Sequence, residues 1–259
     1  MAEGDTPPRD TAVVLGCSVS TLRRPGLLSA LAHLTKSGKK SHVLYANVHT
    51  LNLAQRHTWL KQMFDHAGLV INDSDGLIYF GRWVKAGLVE KNTMAEFGKP
   101  FAEMCASEKF RVFFLGNRTE IAEAAAEKLT HEVRGFNVVG THHGFFDKAG
   151  RENKDVVDLI NQAQPDILVI GFGAPAQEKW IQDNREELDV PLVMAGGNCF
   201  GYWSGMEKRA PSWMLDAGLE WLYRFWLEPV RLANRYLIGN PLFALRILRQ
   251  RLTGRGGRL

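Results

Sequence analysis

Residues Asp166–Leu188 read "DILVIGFGAPAQEKWIQDNREEL", and the handover inside this stretch decides the fold. Ile167 to Ile170 form an apolar run of strand length that ends in Gly171 and Gly173. "EKWIQDNREEL" then reads as a helix. Strand, glycine turn and helix together make the unit of a parallel sheet covered by helices. Ligands of such sheets sit beyond the carboxyl ends of the strands. Glycines there let backbone approach a ligand, and free N–H groups at a helix start favour an anion. Gly171 and Gly173 suit a diphosphate or a sugar, and Gln177 offers both a donor and an acceptor. A tight turn with Gln177 exposed accounts for the same residues.

The texture repeats on both sides. "AVVLG", "HVLYAN", "LVIN", "FRVFFLG", "FNVVG" and "PLVMAGG" are further short runs rich in Val, Ile, Leu or Phe, many ending in Gly or Asn. Helical patterns alternate with them: "TEIAEAAAEKLTHEV", with Thr119 as its N-cap, and "KDVVDLINQAQ", stopped by Pro165. The expected fold is α/β, a Rossmann-like, mostly parallel sheet flanked by helices. From about Pro211 the chain turns helical, aromatic and basic, with Pro229 and Pro241 as expected helix breaks. The organisation expected is a flexible start at 1–10, an α/β core at 11–210, a helical basic appendage at 211–252 and a flexible tail at 253–259.

The 259 residues, 45% hydrophobic, suffice for a full core. The net charge of +4 is mild, but no acidic residue follows Glu228 while seven arginines do. That charge sits in an apolar, aromatic segment rather than a polar stripe, which argues against nucleic acid. Leu242, Leu245, Leu248 and Leu252 recur at helical spacing among the arginines, the pattern of a helix lying on anionic lipid. A helix packed on the core gives the same spacing. The three cysteines form no CxxC, so neither a zinc site nor a redox pair is encoded. No signal peptide and no apolar run of spanning length is read. The expected location is cytoplasmic, peripheral at the inner face of the membrane.

Several polar clusters follow strands. Asn47 suits a sugar hydroxyl; His49 is a candidate base or a structural histidine. In "LVINDSDGLIYFGRW", Asp73 and Asp75 follow the strand. Either one accepts a proton from an attacking hydroxyl, or the pair caps a helix starting near Leu77. Arg82 faces phosphate or solvent. Gly116 ends a strand in "RVFFLGNRTE", but neither GxGxxG nor a Walker sequence is present, which weakens a nicotinamide enzyme. His142 and His143 lack a carboxylate at metal-ligand spacing. Gly196, Gly197 and Asn198 follow another strand, and Lys208 and Arg209 precede a helix.

Taken together, "GFGAPAQEKWI" and "RAPSWMLDAGLEWLYRFWLEPVRLANRY" resemble the bacterial glycosyltransferases of the WecG/TagA/CpsF type. The resemblance covers Val14 to Arg246. It implies a Rossmann-like core with a C-terminal helical appendage that meets the membrane and completes the site. It further implies inverting transfer of a hexose or N-acetylhexosamine from a UDP-sugar to a polyprenyl-diphosphate-linked saccharide, without a metal or other cofactor. The products would enter surface or exopolysaccharide. On this resemblance the catalytic aspartate falls on Asp73, with Asp75 as the alternative register. Binding residues fall on Asn47, Gly116, Gly171, Gly173, Gln177, Gly197, Arg209, Arg224 and Arg231, with Arg235 beyond them. The chain departs at Gly201, where the family often has Asp, and at "EKNTMAEF", a poor match to a Gly-x-Asp segment. The alternative is a non-catalytic peripheral protein that binds nucleotide sugars or anionic lipid.

Overall fold

The structure is a computed structural model that describes residues 10–88 and 90–253. The expected flexible ends therefore lie, but for Asp10 and Thr253, outside the described residues. Among the described residues eight strands are present: β1 Thr11–Val14, β2 Cys17–Ser20, β3 Ser41–Ala46, β4 Leu69–Asn72, β5 Arg111–Gly116, β6 Asn137–His142, β7 Ile167–Gly171 and β8 Leu192–Ala195. Six of them make one sheet in the order β4-β3-β8-β7-β5-β6, every pair parallel. The α/β expectation therefore holds. Along β7 the side chains alternate, Ile167 and Val169 into one apolar core and Leu168 and Ile170 into the other. Helices cover both faces, which is why β7 is buried throughout and reads as a continuous apolar run.

Three expectations need correction. "AVVLG" does not join the sheet; β1 pairs antiparallel with β2 in a separate hairpin. Thr119 is the first residue of the helix Thr119–Glu132, and the cap position belongs to Arg118. Pro241 does not break a helix. From Pro229 to Thr253 the chain is helical throughout, with a π turn at Asn234–Ile238 just ahead of Pro241. A wide turn there makes room for a ring that has no N–H to donate.

The last helix, Gly239–Thr253, is part of the fold. Phe243 and Ile247 are fully buried in the core on its inner face. Arg246 Nη1 donates to Asn52 Oδ1 at 2.6 Å, and Asn52 Nδ2 donates to the Gly239 carbonyl at 2.7 Å. Gln250 reaches the hairpin, accepting from the Leu15 N–H at 2.8 Å and donating to the Val13 carbonyl at 3.0 Å. Leu245, Leu248 and Leu252 stay exposed on the outer face. Among the described residues no helix is long and apolar enough to cross a membrane.

Candidate active site

The carboxyl ends of β4 and β3 open into a cavity of about 410 Å³, roofed by the C-terminal helices. Its lining includes Asn47, His49, Asp73, Asp75, Lys91 and Thr93 from the core, and Glu220, Trp221, Arg224, Arg235 and Tyr236 from the roof. Two segments far apart in sequence thus share one enclosure.

Asp73 is the first residue past β4. Its backbone N–H is held by the Ala46 carbonyl of β3 at 2.9 Å, so its position follows from the sheet. The helix behind it, Asp75–Trp83, is capped by Ser74, whose Oγ accepts from the Gly76 N–H at 3.1 Å. Neither aspartate serves as the cap, so both carboxylates are left for the cavity. Asp75 forms an ion pair with Lys91 Nζ at 2.6 Å. Asp73 has no such partner among the described residues. It is half-buried at the cavity wall, and desolvation there pushes its pKa up to about 6. Arg224 and Arg235 pull it down, Glu220 pushes it up, and the Asn47 amide favours its charged form.

Local capping aims that amide. Asn47 caps the helix Val48–Ala54, its Oδ1 accepting from the His49 and Thr50 N–H groups at 3.0 Å each. The acceptor side of the amide is consumed, which leaves its NH₂ for Asp73. His49 also lines the cavity, but burial and the charges of Arg235 and Arg56 push its pKa down to about 4. A neutral imidazole of so low a pKa is a poor base beside Asp73.

The roof is tied down by a chain of charges. Arg24 contacts Glu96 at 3.2 Å, Glu96 contacts Arg209 at 2.9 Å, and Arg209 contacts Glu220 at 3.5 Å. Glu220 in turn accepts from Arg224 Nη2 at 3.0 Å. Arg209 is thus a tether beside the cavity rather than part of its lining. Arg235 differs from both: it lies over the Tyr236 ring and has neither a hydrogen bond nor an ion pair among the described residues. Arg231 pairs with Glu228 on the exposed side, away from the cavity. Arg82 is exposed, and the His142 ring lies tilted at 33° to that of His143 with ring centroids 4.4 Å apart. Among the described residues no three His, Cys, Asp or Glu side chains are grouped to hold a metal.

The glycines form a second feature further along the same edge of the sheet, outside that cavity. Gly116, at φ +143°, lies so close to Gly171 that a Cβ would stand 2.7 Å from its backbone. Gly173 and Gly197 have positive φ and open space where a Cβ would be. Gln177 holds the two turns together. It is only 3% exposed, and its Oε1 accepts from the Gly173 N–H at 3.2 Å and the Gly197 N–H at 2.8 Å. Its Nε2 donates to Glu178 at 2.9 Å. The expectation of an exposed or ligand-facing Gln177 is replaced by a buried brace that shapes a glycine-lined crevice.

The residues that sequence reasoning missed are Glu220, Trp221, Tyr236, Tyr79 and Thr93, with Lys91 as the partner of Asp75. The pattern of the Glycosyl transferase WecG/TagA/CpsF family matches residues 12–257, nearly the whole chain. The chain belongs to this family. Among similar proteins are the N-acetylglucosaminyldiphosphoundecaprenol N-acetyl-beta-D-mannosaminyltransferases of Staphylococcus aureus strains NCTC 8325 / PS 47, COL and MSSA476. Each is 26% identical over 205 residues, covering 79% of this chain and 78% of the relative. As a WecG/TagA/CpsF member the protein is a glycosyltransferase, and the cavity with its adjoining crevice is its candidate active site.

Proposed function

We propose that the protein transfers a hexose or N-acetylhexosamine, with inversion, from a UDP-sugar to a polyprenyl-diphosphate-linked saccharide. The Staphylococcus aureus relatives bear names that describe such a lipid-linked acceptor. The observation that carries the reading is Asp73, a cavity-lining carboxylate with no ion pair among the described residues, its pKa pushed up to about 6, with Arg224 and Arg235 in the same lining. A base poised just below neutral pH is charged when needed and still takes a proton.

In this reading the diphosphate lies along Gly116, Gly171, Gly173 and Gly197, where bare backbone allows close approach. Asp73 accepts the proton of the acceptor hydroxyl. That oxygen bonds to the anomeric carbon as the bond from this carbon to the diphosphate oxygen breaks, and UDP leaves. Negative charge then grows on the departing group. Arg224 and Arg235 line the cavity and, in this reading, supply the positive charge that stabilises it. Asn47 orients the base, and Gln177 shapes the crevice.

The same reading places the protein at the inner face of the membrane, where a polyprenyl acceptor resides. Trp213, Trp226, Val230, Leu237, Ile238, Leu245, Leu248 and Leu252 are exposed on the C-terminal segment, Trp226 to 84%. Arg249 and Arg251 lie among the last of these. Apolar side chains beside arginines favour an anionic lipid surface. The test is UDP release from a panel of UDP-sugars with and without a lipid-linked acceptor. Acceptor-dependent release supports transfer. Binding of UDP-sugars without release, across the panel, favours the non-catalytic alternative.

A further inference from the structure

The segment "EKNTMAEF", which departs from the family's usual pattern, forms one wall of the cavity. It is built with care. The Asn92 N–H donates to the Asn72 carbonyl at 2.8 Å, and Asn72 Nδ2 donates to the Glu90 carbonyl at 3.0 Å. The segment is thereby stitched to the end of β4, the strand that carries Asp73. Arg24 Nε holds Asn92 Oδ1 from the other side at 3.2 Å.

Thr93 stands at the N-cap of the helix Met94–Glu108. A threonine there ordinarily accepts a backbone N–H of the first turn. Thr93 does not: its side chain makes no capping hydrogen bond. The residue is only 6% exposed, lines the cavity, and its Oγ1 has no partner among the described residues. A buried hydroxyl left unpaired is destabilising, and one at a cavity wall is satisfied when a ligand brings a hydroxyl or carbonyl to it. In the orientation seen the oxygen is sealed within the wall, and a turn of roughly 120° in χ1 to another staggered position is needed for it to face the cavity. Asp75 and Lys91 line the same cavity as a joined acceptor and donor. Together these groups match the alternating donors and acceptors of a pyranose ring.

Location decides which sugar. β4 is the edge strand of the sheet, and the glycine crevice lies at β7, β8 and β5 on the inner side of β3. The 90–93 segment joins β4 at its free edge, beyond Asp73 as seen from the glycines. A donor nucleotide along the crevice leaves this far wall to the acceptor. We propose that Thr93 is a specificity-determining residue whose hydroxyl binds a ring hydroxyl of the acceptor sugar. The inference rests on the transferase reading above.

The test compares Thr93→Val, which keeps the shape and removes the hydroxyl, with Thr93→Ser, which keeps the hydroxyl. Lipid-linked monosaccharide acceptors with single hydroxyls removed serve as probes. Thr93→Val is expected to lower kcat/KM about three- to tenfold through a higher acceptor KM, with donor KM unchanged. Thr93→Ser restores the value, and one deoxy acceptor no longer distinguishes wild type from Thr93→Val. Equal loss in donor and acceptor parameters, no rescue by serine, or wild-type kinetics in Thr93→Val would each overturn the proposal. Should Thr93→Val fail to fold, Thr93→Ala takes its place in the same deoxy series: the proposal fails if every acceptor hydroxyl contributes as much in Thr93→Ala as in wild type. A wild-type protein without acceptor-dependent UDP release would instead defeat the transferase reading itself.

Discussion

Replacing Asp73 by Asn removes the base and, with it, a charge that the fold holds at a cost. The Asp73 pKa rises from 3.8 to about 6 on folding, chiefly through burial. The folded protein thus binds a proton more tightly than the unfolded chain. The wild type is favoured below the unfolded value, and that advantage is lost as pH rises through about 6. Two pKa units correspond to about 3 kcal/mol at full ionisation. About half of this is already present near pH 5, so the gap between Asp73→Asn and wild type should widen by roughly 1.4 kcal/mol between about pH 5 and pH 8. In a chain of this size that is a further Tm gain of about 3–5 °C for the variant. Thermal melts of both proteins across this range measure it. UDP release in the same samples should fall by about 10²-fold or more. The wild-type rate should rise with pH through about 6, as the carboxylate ionises. A variant with normal turnover, or one whose stability gap does not change with pH, would refute the reasoning and move the base to Asp75.

Other outcomes follow from the same geometry. Arg224→Met should lower kcat by about a hundredfold. Because Arg224 lowers the Asp73 pKa, the acid limb of the pH–rate profile should also move upward. Gly116→Ala forces a Cβ to within 2.7 Å of Gly171 backbone at φ +143°, and should cost about 3 kcal/mol or more in urea unfolding. Glu178 is 2% exposed, its Oε2 has no partner among the described residues, and burial raises its pKa. Glu178→Gln should therefore stabilise the protein at neutral pH, with the gain shrinking as pH falls through the ordinary carboxylate range; unchanged melting at neutral pH would contradict this. Replacing Leu245, Leu248 and Leu252 by Glu should abolish cosedimentation with anionic liposomes while circular dichroism melts stay near wild type. Deleting the helix is a poorer test, because Phe243 and Ile247 would be lost from the core.

The parallel sheet was legible because burial on both faces leaves an unbroken apolar run, as in β7. The β1–β2 hairpin was not, since a four-residue apolar strand looks alike in either sheet. At Asp73 the sequence left two readings, cap or base. Ser74 takes the cap, a choice that depends on backbone angles no local pattern reveals. Gln177 was misjudged for a related reason. Its amide is spent on Gly173 and Gly197, and the second of these lies 20 residues ahead in sequence. Glu220, Trp221 and Tyr236 reach Asp73 only through the folding of the C-terminal segment over β3 and β4. Nothing near residue 73 announces them.

The link between Gln250 and the hairpin joins residues 235 positions apart. During synthesis the hairpin emerges well ahead of Gln250, and its Leu15 N–H and Val13 carbonyl wait for that partner. The order of residues along the chain is thus at odds with their nearness in space. A circular permutant that fuses the final helix directly ahead of the hairpin, with new ends opened in an exposed turn such as Gly38, would deliver both halves of that link together. Such a molecule should keep the native arrangement and refold sooner than the natural order allows.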